Sequence, residues 1–144
     1  MIGDIQFDDV HFHYANRPNF RVLKNFSLKC VNGCRTALVG LSGSGKSTTI
    51  ALLERFYDPS KGRILLDGHD MKSLNLRWLR SLMGFVQQEP ILFNLSIREN
   101  IAYGDNSQKI TQEKIENAAR IANIHQFIIS LPKVHWLYIL ISSD

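Results

Sequence analysis

Long hydrophobic runs are missing from these 144 residues. No stretch approaches the ~20 consecutive apolar residues that cross a bilayer. The opening MIGDIQFDDV is acidic and alternating, where a secretory leader would be basic and then apolar. The expectation is a chain with neither a membrane span nor a leader. Cysteine is scarce, with only Cys30 and Cys34, separated by Val31-Asn32-Gly33. A structural zinc site would need two further ligands at finger-like spacing, and none occurs, so reduced cytosolic thiols are expected. Basic clusters with interleaved aromatics are lacking too, which argues against nucleic acid as a partner. Internal repeats and low-complexity segments are likewise absent.

What is present is the composition of a soluble globular protein, 44% hydrophobic and 21% charged. The length allows one domain with a core of its own and is too short for two. The net charge of +4 suits an anionic ligand and suits an ordinary solvated surface equally well.

Along the chain, Ile5 and Phe7, then Val10, Phe12 and Tyr14, read as strands broken by the Asp8-Asp9 pair. Residues Ala15 to Asn19 form a turn around Pro18. Val22 through Leu28 reads as another strand, Asn32-Gly33 as a hairpin turn, and Thr36–Val39 as a buried strand. A helix is expected over Thr49–Phe56, with Ile50, Leu53 and Phe56 along one side. Ile64-Leu65-Leu66 should be a short strand closed by Asp67-Gly68, followed by a helix near Leu76–Leu82 and a strand at Met83–Gln87. From Ser96 the pattern turns helical. Ser96 and Glu99 match a capping box, Thr111 can cap a helix with Ile115, Ala118, Ala119 and Ala122 on one face, and Pro132 stops the last helical piece.

The segment that carries chemistry is VGLSGSGKST, Val39 to Thr48. Gly40-Leu41-Ser42-Gly43-Ser44-Gly45-Lys46-Ser47 matches G-x-x-x-x-G-K-[ST] between an expected strand and an expected helix. Glycines let consecutive N–H groups turn inward around a β-phosphate, and the helix points its positive end at the same anion. Lys46 should bridge the β- and γ-phosphates and the Ser47 hydroxyl should sit on Mg²⁺. A dinucleotide site fits less well, because Thr48 stands where a third glycine belongs. Neither an Asp-x-x-Gly switch nor an Asn-Lys-x-Asp base reader occurs, so ATP is expected rather than GTP.

Further landmarks follow in order: Phe12-His13-Tyr14 with Arg17-Pro18, LLERFYDPSKGRILLDG at 52–68, FVQQEPILF at 85–93, SIRENIAYGDN at 96–106 and IANIHQFIISLP at 121–132. With the phosphate loop, they make the chain resemble the ATP-binding domain of ABC transporters, closest to exporters of the multidrug-resistance (P-glycoprotein-like) group, over roughly residues 3 to 133. The resemblance implies an α/β fold of the P-loop NTPase class. It would be the N-terminal part of an ABC-type ATPase domain: an antiparallel β subdomain, the loop with its core strands and helix, and the start of a helical subdomain. It implies that Tyr14 stacks on adenine; a core tyrosine on an alternating strand is the lesser alternative. By the same resemblance, Gln88 reaches Mg²⁺ and the attacking water, making Lys46 and Gln88 the catalytic candidates and Ser47 and Gln88 the metal ligands. Tyr14, Gly40 and Ser42 through Thr48 are the nucleotide-binding candidates.

Such ATPases work as pairs, each domain supplying a Leu-Ser-Gly-Gly-Gln signature to its partner's nucleotide. They also carry an apolar strand ending in Asp-Glu, and then a switch histidine. None of these occurs in the 144 residues. Ile64-Leu65-Leu66-Asp67 imitates the acidic strand, but Gly68 follows and Asp67 reads as a turn-closing residue; Leu137–Ile141 leads only to Ser142-Ser143-Asp144. The expected organisation is an incomplete nucleotide-binding domain over 1–134 and a divergent tail over 135–144, with the edges of Thr36–Val39 left uncovered. The implied partners are ATP, a second nucleotide-binding domain and the membrane domains of an exporter, at the cytoplasmic face of a membrane or in the cytoplasm. The expected activity is Mg²⁺-ATP binding with weak or no turnover. The alternative is a short isoform that does not hydrolyse ATP and docks on or regulates a full-length transporter.

Overall fold

A single displaced residue sets the phase of the first strand. In the computed structural model, which describes residues 2–87, 89–104 and 110–131, β1 runs unbroken from Ile5 to Phe12. The Asp8-Asp9 pair, expected to break it, forms a bulge instead. Asp9 absorbs the extra residue at φ 47, Asn25 on the neighbouring strand sits at φ 48, and the Asn25 amide donates to Asp9 at 2.9 Å. Strict alternation from Phe7 would put residues 9 and 11 in the core. The bulge puts Val10 and Phe12 there, and both are buried.

The chain divides into two compact units, Met1–Phe85 and Val86–Asp144. In the first, β2 (Leu23–Cys30) and β3 (Lys61–Leu66) flank β1, and β4 (His69–Asp70) completes an antiparallel sheet in the order β2-β1-β3-β4. Asp67 and Gly68, at φ 50 and 81, make the two-residue hairpin turn that the twist of β-strands favours. The Asp67 carboxylate accepts backbone N–H bonds from Ile2, Gly3 and Asp4 at 2.9, 2.7 and 2.8 Å. It is therefore a structural clamp on the chain's first residues, in keeping with a turn-closing role.

Burial alone would raise the pKa of Asp67; the N–H groups of Gly3, Asp4 and Ile2 outweigh it and hold the carboxyl below its ordinary value. A depressed folded-state pKa contributes stability that is present above the unfolded value and lost as pH falls through the folded one. The urea midpoint of the unmodified chain should therefore fall below about pH 4. Asp67→Asn should start lower at neutral pH and show a flatter decline. Parallel profiles for the two chains would refute the clamp.

Helices α1 (Lys46–Leu53) and α2 (Leu76–Ser81) close the core. Leu52, Leu79 and Met71, the last in a 3-10 turn over Met71–Ser73, join Phe7, Val10, Phe12, Leu23, Ile64 and Leu66. The first helix starts and stops three residues earlier than the Thr49–Phe56 expected, because Gly45 caps it and Arg55 turns to φ 55. Phe56 consequently leaves the helix and lies under the Arg80 guanidinium at 4.8 Å. Arg80 also donates to the carbonyls of Glu54 and Arg55 at 3.0 and 3.1 Å, satisfying acceptors that a helix end leaves open.

Two segments expected as strands are not strands. Thr36–Val39 and Met83–Gln87 pair with none of the four described strands, and Val39 and Val86 are 93% and 90% exposed. β-propensity describes fit to a sheet surface; without a neighbour to take its N–H and C=O groups, an apolar run gains nothing from extending. The Asn32-Gly33 turn does form, with Cys34 N–H on the Val31 carbonyl at 3.1 Å, but no hairpin returns from it.

Beyond Ser96 the described residues of the second unit are mostly helical, as expected, with α3 (Ile97–Ala102), α4 (Gln112–Ile121) and α5 (His125–Ser130). The capping box is complete: Glu99 N–H donates to the Ser96 hydroxyl, and the Ser96 backbone N–H donates to the Glu99 carboxylate at 2.8 Å. The Ser96 hydroxyl, followed by this N–H, holds the Glu99 carboxyl below its ordinary pKa. Thr111 caps α4. Its buried seam is Ile115 and Ala119, with Ile128 of α5 also buried, whereas Ala118 and Ala122 are exposed. Among the described residues no helix is long and apolar enough to cross a membrane. Pro132 and the tail expected at 135–144 lie outside the described residues.

Candidate nucleotide site

The phosphate-loop residues fold into an exposed turn that leads into α1. Ser44 N–H closes a turn on the Leu41 carbonyl at 3.2 Å, with Gly43 at φ 79. Positive φ at that third turn position is the conformation glycine takes at no steric cost. Gly45 follows at φ 93, and a Cβ there would stand 2.8 Å from Leu23 Cδ2, so its bareness lets the helix start press against β2. Gly40 closes the other side; a Cβ on it would stand 2.8 Å from Ser44 Oγ.

Helix α1 has no side-chain cap and no acidic residue in its first turn. Its first intrahelical bond runs from Thr49 N–H to the Gly45 carbonyl at 2.8 Å, so earlier N–H groups have no partner within the helix. The positive end of the helix dipole therefore faces the loop with nothing negative in its own sequence to offset it. Lys46 adds a full charge. Its ammonium donates to the carbonyls of Gly40 and Leu41, both at 2.8 Å, with Ser44 Oγ at 3.4 Å. An ammonium and the unpartnered N–H groups of a helix start, side by side on an exposed glycine-rich loop, are the chemistry of an anion site, and these residues fit a polyphosphate.

The hydroxyl residues of α1 divide. Ser47 is exposed, while Thr48 and Thr49 are buried at 5% and 3% exposure. Thr49 Oγ1 donates to the Gly45 carbonyl at 3.0 Å. Thr48 Oγ1 lies 2.9 Å from the Tyr14 hydroxyl. Tyr14, half-buried just beyond β1, thus touches the phosphate-loop helix directly. Its ring is set against Phe12 at 4.9 Å and 83° and against Tyr57 at 5.2 Å and 90°.

The structure therefore brings together Tyr14, Gly40, Ser42, Gly43, Ser44, Gly45, Lys46, Ser47 and Thr48 within the first unit. Gln88 lies outside the described residues. Two features escape the sequence. The link from Tyr14 to Thr48 joins positions 34 residues apart, and the contact of Tyr57 with Tyr14 joins a turn after α1 to the end of β1; no spacing rule encodes either. Cys30 and Cys34 are both free thiols.

The sequence profile of the ABC transporter family matches residues 23–135. The chain belongs to the ABC transporter family. It is of the family's α/β ATPase-domain class, corresponding to the N-terminal part of that domain, and its relatives are members of sub-family B. ATP-binding cassette sub-family B member 5 of Mus musculus is 55% identical over 131 residues, covering 91% of this chain and 10% of that protein. ABC transporter B family member 6 of Arabidopsis thaliana is 55% identical over 132 residues, covering 92% of this chain and 9% of that protein. Mitochondrial ATP-binding cassette sub-family B member 10 of Mus musculus is 52% identical over 132 residues, covering 91% and 18%. The solved structure of a bacterial Atm1-family ABC exporter with ATP bound superposes with a TM-score of 0.86 at 40% identity, covering 94% of this chain and 23% of that one. The chain thus spans less than a quarter of the length of each of these relatives.

Proposed function

We propose that this chain is the phosphate-gripping part of an exporter's nucleotide-binding domain and that it binds Mg²⁺-ATP. The observation that supports this most directly is the uncapped, acid-free start of α1 beside the glycine-rich loop, with the Lys46 ammonium held against that loop. In this reading the N–H groups at the start of α1, Lys46 through Thr48, hold the β-phosphate and Lys46 bridges to the γ-phosphate. Ser47, exposed beside the loop, would offer its hydroxyl to magnesium, with Gln88 as the second side-chain ligand. The metal would neutralise charge between the β- and γ-phosphates. Tyr14 supplies the aromatic surface for adenine.

Turnover by the chain alone should be negligible. Phosphoryl transfer is mostly positioning and charge neutralisation, and these 144 residues contain neither the Asp-Glu pair nor the signature that acts in trans. In a whole transporter the domain would work against a second nucleotide-binding domain and beneath membrane domains, at the cytoplasmic face of a membrane.

The test is titration of the chain with a fluorescent ATP analogue in Mg²⁺. Saturable binding is expected, displaced by ATP and ADP and not by adenosine, since the grip is on the β-phosphate. Phosphate release should stay at background. Displacement by adenosine as readily as by ADP would refute a phosphate-centred site, and turnover near that of complete exporters would refute the inactive reading.

A further inference from the structure

Tyr57 has no part in the phosphate grip, yet its ring is packed in a way that matters for the base. It sits in the turn after α1, is 46% exposed, and forms a three-ring cluster with Phe12 and Tyr14. Its centroid lies 5.2 Å from Tyr14 at 90° and 5.6 Å from Phe12 at 53°. Phe12, 4% exposed, is the fixed member, anchored in the core. Tyr14 is thus restrained three ways: by Phe12 at 83°, by Tyr57 at 90°, and by its hydroxyl on Thr48 at 2.9 Å. Near-perpendicular pairs follow the aromatic quadrupole, positive edge toward negative face. A hydroxyl bond alone would let the ring swing about its long axis. Perpendicular neighbours resist that swing, and a ring already fixed loses less entropy when a planar base stacks on it.

We propose that Tyr57 is a positioning residue for adenine recognition, holding the Tyr14 ring in the orientation that meets the base. This rests on the reading of Tyr14 as the base platform. Because Tyr57 acts through Tyr14, its removal should affect adenine nucleotides and spare the phosphate grip.

The experiment compares Tyr57→Ala, Tyr57→Leu, Tyr57→Phe, Tyr14→Ala and the Tyr14→Ala/Tyr57→Ala double variant in the full 144-residue chain. Affinities for ATP and for inorganic tripolyphosphate are read by displacement of the fluorescent analogue. Tyr57→Ala should weaken ATP by about threefold to tenfold, the range of one edge-to-face pair. Tyr57→Leu, which keeps apolar cover on Phe12, should do the same. Tyr57→Phe should restore binding, since the contact uses the ring and not the hydroxyl. Tripolyphosphate affinity should be unchanged throughout, and the double variant should be no weaker for ATP than Tyr14→Ala alone. Full ATP affinity in both Tyr57→Ala and Tyr57→Leu would overturn the proposal. So would additive losses in the double variant, or a parallel loss for tripolyphosphate. If Tyr14→Ala itself leaves ATP affinity unchanged, the base-platform reading fails and takes this inference with it. If Tyr14→Ala weakens ATP and Tyr57→Ala does not, only the inference about Tyr57 fails.

Discussion

Lys46→Ala is expected to weaken ATP binding by about 100-fold and to leave the thermal unfolding midpoint of the chain nearly unchanged. The magnitude follows from the charge. Hydrogen bonds to a charged group contribute roughly 1.5–3 kcal/mol each, so on the proposed role, in which the ammonium bridges two phosphates, its loss removes on the order of 3 kcal/mol. Folding should be spared because the ammonium's present partners are the loop's own carbonyls, on an exposed part of the surface. Losing those bonds returns the carbonyls to water rather than stranding them in a core. The check is the titration described above beside a circular-dichroism melt. Binding within threefold of the unmodified chain would remove Lys46 from the site. A collapse of the melt would instead mean that the loop holds the fold together.

Gly62→Ala is expected to cost on the order of 3 kcal/mol or more of stability in the first unit, well beyond an ordinary surface substitution. Gly62 lies on β3 opposite the bulge of β1, at φ 79, and a Cβ there would overlap the carbonyl oxygens of Asp8 and Asp9. Both neighbours are backbone, so no side chain can swing away to make room. The bulge would have to shift, and the bulge is what keeps Val10 and Phe12 in the core. Denaturant unfolding should show the loss as a lower midpoint, with Gly68→Ala as comparison, because its position is open and nothing lies within 4 Å of its would-be Cβ. Equal losses for the two variants would mean that left-handed backbone strain alone is responsible and that the close approach to the bulge contributes nothing.

The two glycines illustrate what can be read along the chain and what cannot. Asp67-Gly68 is a turn by local chemistry, and the hairpin is built as expected. Gly62 falls between the helix expected over Thr49–Phe56 and the strand expected at Ile64–Leu66, and nothing local marks it. Its importance comes from Asp8 and Asp9, more than fifty residues earlier in the chain. The helix caps were legible for the same reason as the Asp67-Gly68 turn: Ser96 with Glu99 and Thr111 with Lys114 lie three residues apart. Amphipathic spacing predicted Ile115 and Ala119 in the seam correctly, while the exposure of Ala118 and Ala122 depends on how wide the covering surface is. Thr36–Val39 and Met83–Gln87 fail as strands for a complementary reason. A β-strand is a relation between segments, and apolar composition does not supply the partner.

By itself, then, the order of residues determined the phosphate loop, its glycines at the turns, its lysine and hydroxyls at the start of a helix, and the family to which those landmarks belong. These are local properties, since backbone conformation, helix polarity and ligand charge act within a few residues of each other. Only the tertiary structure decided that β1 crosses Asp8-Asp9 on a bulge and that Asp67 clamps the chain's first residues. It alone set Tyr14 between Thr48, Phe12 and Tyr57. Each of these is a contact between segments far apart in sequence, made when β1, β3 and α1 fold around one core, and no spacing along the chain could announce it.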